Sequence, residues 1–211
     1  MTFRPLALEH GDLLTTADAR VRCQRGAALD LGPGAHWGMV ADGEARVEHA
    51  GLTFPLRRGM FFVAPGEARL SGAGATLVLT TATAGPLQIG QIEPVGRLRY
   101  IDGCTDTLLV CPPRLGEACL NHLHIPARTD QSAHTHPSDR LGVIVGGYGR
   151  CRTPGASFDL TPGMGWWIPA GTEHAFATDD QALDVLAWHP DSDFGPTDHD
   201  HPMLNRTFRV K

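Results

Sequence analysis

The stretch Ala133–Phe176 decides how the chain is read. It opens His134-Thr135-His136, runs on through Leu141-Gly142-Val143-Ile144-Val145-Gly146-Gly147, and ends Gly163-Met164-Gly165-Trp166-Trp167-Ile168-Pro169-Ala170-Gly171-Thr172-Glu173-His174 before Ala175 and Phe176. In extended chain successive side chains point to opposite faces, so His134 and His136 share a face and Thr135 takes the other. Two imidazoles one strand period apart can converge on one point. His174 follows a Pro-x-Gly turn that ends a Trp- and Ile-rich strand, so a hairpin-like return is expected to bring it opposite the first pair. Neutral imidazole is the commonest metal ligand, and three converging rings leave positions open on a first-row divalent metal. His134, His136 and His174 are therefore the candidate metal ligands.

The same residues resemble the two motifs of the cupin superfamily. Gly163, Pro169, Gly171 and His174 are similar to the second motif (Gly, five residues, Pro-x-Gly, two residues, His, three residues, Asn), with Thr178 in place of the Asn. His134, His136 and Gly147 fit the first motif (Gly, five residues, His-x-His, three or four residues, Glu, six residues, Gly). Two positions depart from it: Arg128 stands at the opening glycine and Arg140 at the Glu ligand. The resemblance implies an all-β, jelly-roll-like barrel fold (the double-stranded β-helix). It also implies a divalent transition metal as cofactor, iron or manganese being common in such dioxygenases, isomerases and lyases. Imidazole donors leave nickel, copper and zinc open as well.

An internal repeat bears on domain count. Gly43 and Gly147, Gly59 and Gly163, Met60 and Met164, and Pro65 and Pro169 all stand 104 positions apart, with Phe61-Phe62 and Trp166-Trp167 before the two prolines. Each half has short apolar runs parted by Gly, Pro and Asp, the pattern of an antiparallel sandwich or barrel. Two tandem cupin barrels (a bicupin) are expected, one over residues 1–95 and one over 96–211, with Gln91 to Arg99 as connector. The first copy has Asp30, Gly32 and Leu70 opposite the three histidines, so it reads as structural, covering one face of the second copy. His36, alone opposite Arg140, reads as a packed or surface residue rather than a ligand.

Composition narrows the function classes. The 25 glycines and 16 prolines leave few segments long enough for helices, which favours short strands. The net charge of −5 and the lack of a basic cluster argue against nucleic acid or an anionic membrane as partner. No apolar run is long enough to span a bilayer. The N-terminal Met1-Thr2-Phe3-Arg4-Pro5-Leu6 lacks the apolar core of a signal peptide, and the five widely spaced cysteines read as reduced, buried thiols, so a cytoplasmic protein is expected. The partner expected is a small-molecule substrate, and a homodimer is compatible with the chain.

Ala118 to Ile125 reads as a strand with His122 and His124 on one face. Two readings stand level for them: a pair lining the same cavity as the metal ligands, or a pair on a solvated sheet face. The Asp- and His-rich tail from His189 to Met203 reads as an ordered loop with Asx-type turns, whose Phe194 and Met203 could cover a barrel mouth.

Three neutral histidines without a carboxylate leave a bound divalent ion its full formal charge, a stronger Lewis acid that favours an anionic ligand. Arg140 has no lone pair to coordinate it, but its planar fork suits a bidentate contact with a substrate carboxylate. In a competing register Asp139 turns inward as fourth ligand through a one-residue bulge. Trp166 and Trp167 should point to opposite faces, the inward one walling the cavity or simply packing the barrel. Arg140 and Trp166 are thus the candidate catalytic residues. The expected function is a metal-dependent enzyme acting on a small polar, anionic metabolite, an iron-type dioxygenase first, with isomerase or lyase chemistry behind it. The alternative is a non-catalytic bicupin serving as sensor or scaffold.

Overall fold

The computed structural model describes residues 2–83, 85–197, 199, 201, 207, 208 and 210. The first half contributes β1 (Arg4–Leu6), β2 (Gly11–Thr15), β3 (Arg20–Arg25), β4 (Leu29–Leu31), β5 (Ala35–Asp42), β6 (Glu44–His49), β7 (Leu52–Arg57), β8 (Met60–Pro65), β9 (Ala68–Ser71), β10 (Ala75–Thr81) and β11 (Gln88–Gln91). The second contributes β12 (Leu98–Arg99), β13 (Thr105–Val110), β14 (Cys119–Ile125), β15 (Arg140–Gly147), β16 (Gly149–Thr153), β17 (Ala156–Leu160), β18 (Gly165–Ile168), β19 (Ala175–Ala177) and β20 (Leu183–His189), with one 3-10 turn at Ile101–Gly103. The fold is all-β, as the Gly- and Pro-rich sequence requires.

Among the described residues four antiparallel sheets result, in the orders β11-β8-β5-β10-β3-β2, β4-β9-β6-β7, β1-β18-β15-β20-β14-β13-β12 and β17-β16-β19. The centre of the first large sheet, β8-β5-β10-β3, corresponds strand for strand to β18-β15-β20-β14 in the second. One element departs from the expected division at residue 95: β1 pairs with β18, so the chain's first strand closes the edge of the second half's sheet. Gln88–Gln91 fills the equivalent edge beside β8.

The repeat is visible in the backbone. Gly43 and Gly147 have φ of +64° and +69°, and Gly59 and Gly163 have +82° and +87°, a region L residues rarely adopt. A Cβ on Gly147 would lie 1.6 Å from the Ala182 carbonyl oxygen, so no side chain fits there. An aromatic ring also covers a cross-strand glycine in both halves, Phe62 over Gly38 and Trp166 over Gly142. Arg128, where the cupin motif has glycine, holds φ of +60°, and its N–H donates to the Asp179 carbonyl at 2.6 Å. The turn thus keeps a glycine conformation at an arginine, at a cost of roughly 1–2 kcal/mol.

Among the described residues three apolar cores follow from this layering. Leu31, Val47, Phe62 and Leu70 fill the first half, and Phe3, Ile144, Trp166, Phe176 and Val185 fill the second. Between the two large sheets lies a shared core in which Trp37, Met39 and Leu77 of the first meet Leu141, Val143, Leu186 and Trp188 of the second. Trp37 and Trp188 meet edge to face at 6.4 Å. Because each large sheet is covered on both sides, Ala35–Ala41 and Arg140–Val145 are buried at every position. Such strands read as continuous apolar runs rather than alternations. Cys23, Cys104, Cys119 and Cys151 are buried free thiols as expected, whereas Cys111 is exposed. Among the described residues no helix is long and apolar enough to cross a membrane.

Candidate metal centre and its cavity

His134 and His136 lie in extended chain outside the sheets, not in a regular strand. They are held by the return of the chain after Pro169. His134 N–H donates to His174 O at 2.9 Å, His174 N–H donates to His134 O at 3.0 Å, and Gly171 N–H donates to His136 O at 2.8 Å. The Pro-x-Gly turn thereby sets His174 directly opposite His134. The ring centroids are 5.0 Å apart for His134 and His136, 4.5 Å for His134 and His174, and 5.2 Å for His136 and His174. One ligand atom from each ring lies within 4.8 Å of the others.

The donor chemistry suits a metal. Nδ1 of His134 lies 2.9 Å from Ser132 O, and Nδ1 of His174 lies 2.9 Å from Thr172 O. A carbonyl can only accept, so both Nδ1 atoms carry a proton, and in the neutral ring that tautomer leaves the lone pair on Nε2. Burial, then the Arg140 charge, pushes the His136 imidazole down to about 3; burial first of all takes His174 down to about 4. These two rings are neutral at pH 7 and need lose no proton to coordinate.

The three rings open onto a cavity of about 370 Å³. Its walls are largely apolar, with Leu123, Trp166, Ile168, Phe176 and Val185 among them. Trp166 faces the cavity and is buried, while Trp167 takes the other face, packed partly buried against the shared core with the Arg4 guanidinium 4.9 Å from its ring centroid. Phe194, from the tail, also lines the cavity; Met203 lies outside the described residues. The tail is tied down by Gly116 N–H donating to Ser192 O at 3.0 Å and Leu115 N–H donating to Pro196 O at 2.9 Å.

Arg140 is buried and lines the cavity. Its Nη1 donates to the Ser138 and Asp139 carbonyls, each at 3.1 Å, and lies 3.9 Å from the Asp191 carboxylate. Its buried Nε has no partner among the described residues. The alternative register for Asp139 is not adopted. Its Oδ1 accepts the Ala170 N–H at 2.8 Å, and the ladder irregularity in β15 falls at Ile144/Gly146 instead. Asp139 braces the turn that carries His174.

Neither reading of His122 and His124 holds. Asn121 and Leu123 line the cavity, so their strand neighbours His122 and His124 point to the other side of the sheet. There they are largely buried and bond to Asp184 rather than facing solvent. In the first half, His36 is packed, with Nε2 2.7 Å from Gly32 O and Nδ1 3.0 Å from Thr80 Oγ1.

Further polar groups line the cavity that the sequence reading did not single out, among them Asp106, Asn121 and His189, the last of which ends β20 rather than beginning the tail loop. Asp106 accepts a hydrogen bond from Asn121 Nδ2 at 2.9 Å, and burial pushes its carboxyl up to about 6. His189, at the end of β20, lines the cavity, and burial holds it well below the usual imidazole range. Asp106, Asn121 and His189 come from three different strands, and only the folded sheet assembles them. Thr178, in place of the motif's Asn, accepts the Thr129 N–H at 3.0 Å and donates to Pro126 O, fastening the loop that leads to His134.

Residues 121–189 match the family model described as Cupin domain, and the all-β architecture around them is a cupin fold. No curated protein matches the chain. Among solved structures it is similar to a Cupin 2 conserved barrel domain protein from Leptotrichia buccalis (12% identical, 90% of this chain and 89% of that one, TM-score 0.65). It is also similar to AerE from Microcystis aeruginosa (15%, 89% and 96%, TM-score 0.61). A third is salicylate 1,2-dioxygenase from Pseudoaminobacter salicylatoxidans, solved as adducts with gentisate (12%, 82% and 68%, TM-score 0.59).

Proposed function

We propose that the chain is a bicupin metalloenzyme acting on a small anionic metabolite, with iron-type dioxygenase chemistry first in line. Residues 1–95 serve as the ligand-free half and 96–211 as the working half. The observation that carries this reading is the convergence of His134, His136 and His174 in a cavity that also holds Arg140. A metal bound to these rings supplies Lewis acidity toward a substrate oxygen and, if it is iron, redox chemistry with dioxygen.

The chain's own residues supply the rest. Arg140 is the carboxylate anchor: Nη1 is engaged by the backbone, and the unpartnered Nε leaves a donor for a substrate oxygen. Trp166 and Phe176, 6.4 Å apart edge to face, form an apolar wall of the cavity beside the histidines. Asp106, whose carboxyl burial raises to about 6, is suited to taking up or releasing a proton. The cavity is at the small end of the roughly 300–1,000 Å³ of small-molecule sites, and its apolar walls favour a compact acid with a hydrocarbon or aromatic body. The gentisate adducts of the similar dioxygenase support an aromatic acid as the first substrate class to try.

Metal analysis of protein purified without added metal, with oxygen uptake in the presence of gentisate and salicylate, tests this reading. Stoichiometric iron with substrate-dependent uptake supports the dioxygenase. Zinc or nickel without uptake redirects the proposal to isomerase or lyase chemistry, and a site that takes up no metal leaves the non-catalytic binder. That second reading draws on Arg140 standing where the cupin motif has a carboxylate ligand.

A further inference from the structure

A second set of metal-capable side chains lies on the far side of the β14/β20 sheet from the cavity. His122 and His124 are two positions apart on β14, and Asp184 stands directly opposite His124 on β20. Asp184 Oδ1 is 3.0 Å from His122 Nε2 and 2.8 Å from His124 Nδ1. A divalent ion with bonds of about 2.0–2.2 Å spaces its ligand atoms at roughly 2.9–3.4 Å, so each nitrogen already stands near ligand spacing from the carboxylate oxygen.

The surroundings favour a cation. His122 is fully buried, while His124 and Asp184 keep 13% and 23% exposure, leaving an entry edge. His122 Nδ1 is buried with no partner among the described residues, so the ring's polar contact is made through Nε2, the atom that faces Asp184. Asp184 Oδ2 accepts no hydrogen bond among the described residues, and Gly146 beside it has no side chain to cover it; a Cβ there would lie 3.1 Å away. The connector lies against the same face, since Thr105 and Thr107 hydroxyls accept the Gly96 and Arg97 N–H groups at 2.9 Å each. Glu93 on that connector is paired with Arg97 through both carboxylate oxygens.

We propose that His122, His124 and Asp184 form a structural divalent-metal site, distinct from the cavity, that clamps β14 to β20 beneath the connector. Two imidazoles, one carboxylate and an open position suit zinc. Water completes the shell.

Zinc(II) binding to the full chain after chelator treatment tests the site. The unmutated protein is expected to bind two equivalents, the His134→Ala/His174→Ala double variant one, and the double variant carrying Asp184→Asn none. His124→Gln on the double-variant background is a second disruption should Asp184→Asn fail to fold, and is expected to weaken zinc at least tenfold. A natively folded double variant that binds no zinc overturns the proposal. So does an unmutated protein that binds one equivalent which Asp184→Asn leaves unchanged.

Discussion

Acidifying the metal-free protein isolates the cost of keeping His174 neutral. Its imidazole is 1% exposed and titrates at about 4 rather than 6.5, with burial as the main cause. Between those values the unfolded chain binds a proton that the native chain does not, so stability falls as pH falls. The contribution is fully present above about 6.5 and is lost at about 1.4 kcal/mol per pH unit down to about 4. From about pH 7.5 to about pH 4.5 the loss from this group comes to about 2.5 kcal/mol. His174→Asn removes the titrating ring and keeps the backbone pair with His134. Urea unfolding of chelator-treated protein, followed by tryptophan emission, should show the unmutated protein losing about 2.5 kcal/mol more than the variant over that range. Parallel losses in the two proteins would refute the reasoning, because His174 would then titrate alike folded and unfolded.

Three further outcomes are expected. Arg140→Met should weaken binding of a small carboxylate such as gentisate about 100-fold, from roughly 3 kcal/mol for a truncated buried charge pair, and leave metal affinity intact or tighter; calorimetry showing equal loss of acid and metal would count against the anchor role. If Asp106 carries the working proton, the acid limb of the oxygen-uptake profile should fall near pH 6 and disappear in Asp106→Asn. Gly147→Ala places a methyl 1.6 Å from a backbone oxygen at φ +69°, and should cost at least about 3 kcal/mol as a fall in the urea midpoint; an unchanged midpoint would contradict this turn.

The histidine spacing and the Pro-x-Gly turn were enough to bring His134, His136 and His174 to one place, because both are local: a strand period sets two rings on one face and a tight turn returns the third. The positions of Arg140 and Asp139 were not legible. A one-residue difference of register exchanges them, and the deciding contact, Ala170 N–H to Asp139, joins residues 31 apart along the chain. The same limit explains His122 and His124. Alternation places them on one face together, but says nothing about which face looks into the cavity.

Read alone, the chain determines its strands, its glycine turns and its repeat, since these depend on local sterics and on patterns within a few residues. Only the tertiary structure decides that β1 crosses to the second half's sheet, that Asp106, Asn121 and His189 share the cavity, and that His122, His124 and Asp184 meet behind it. Those neighbours come from strands whose pairing order and facing are set by burial of the whole sheet, which no short stretch of sequence encodes.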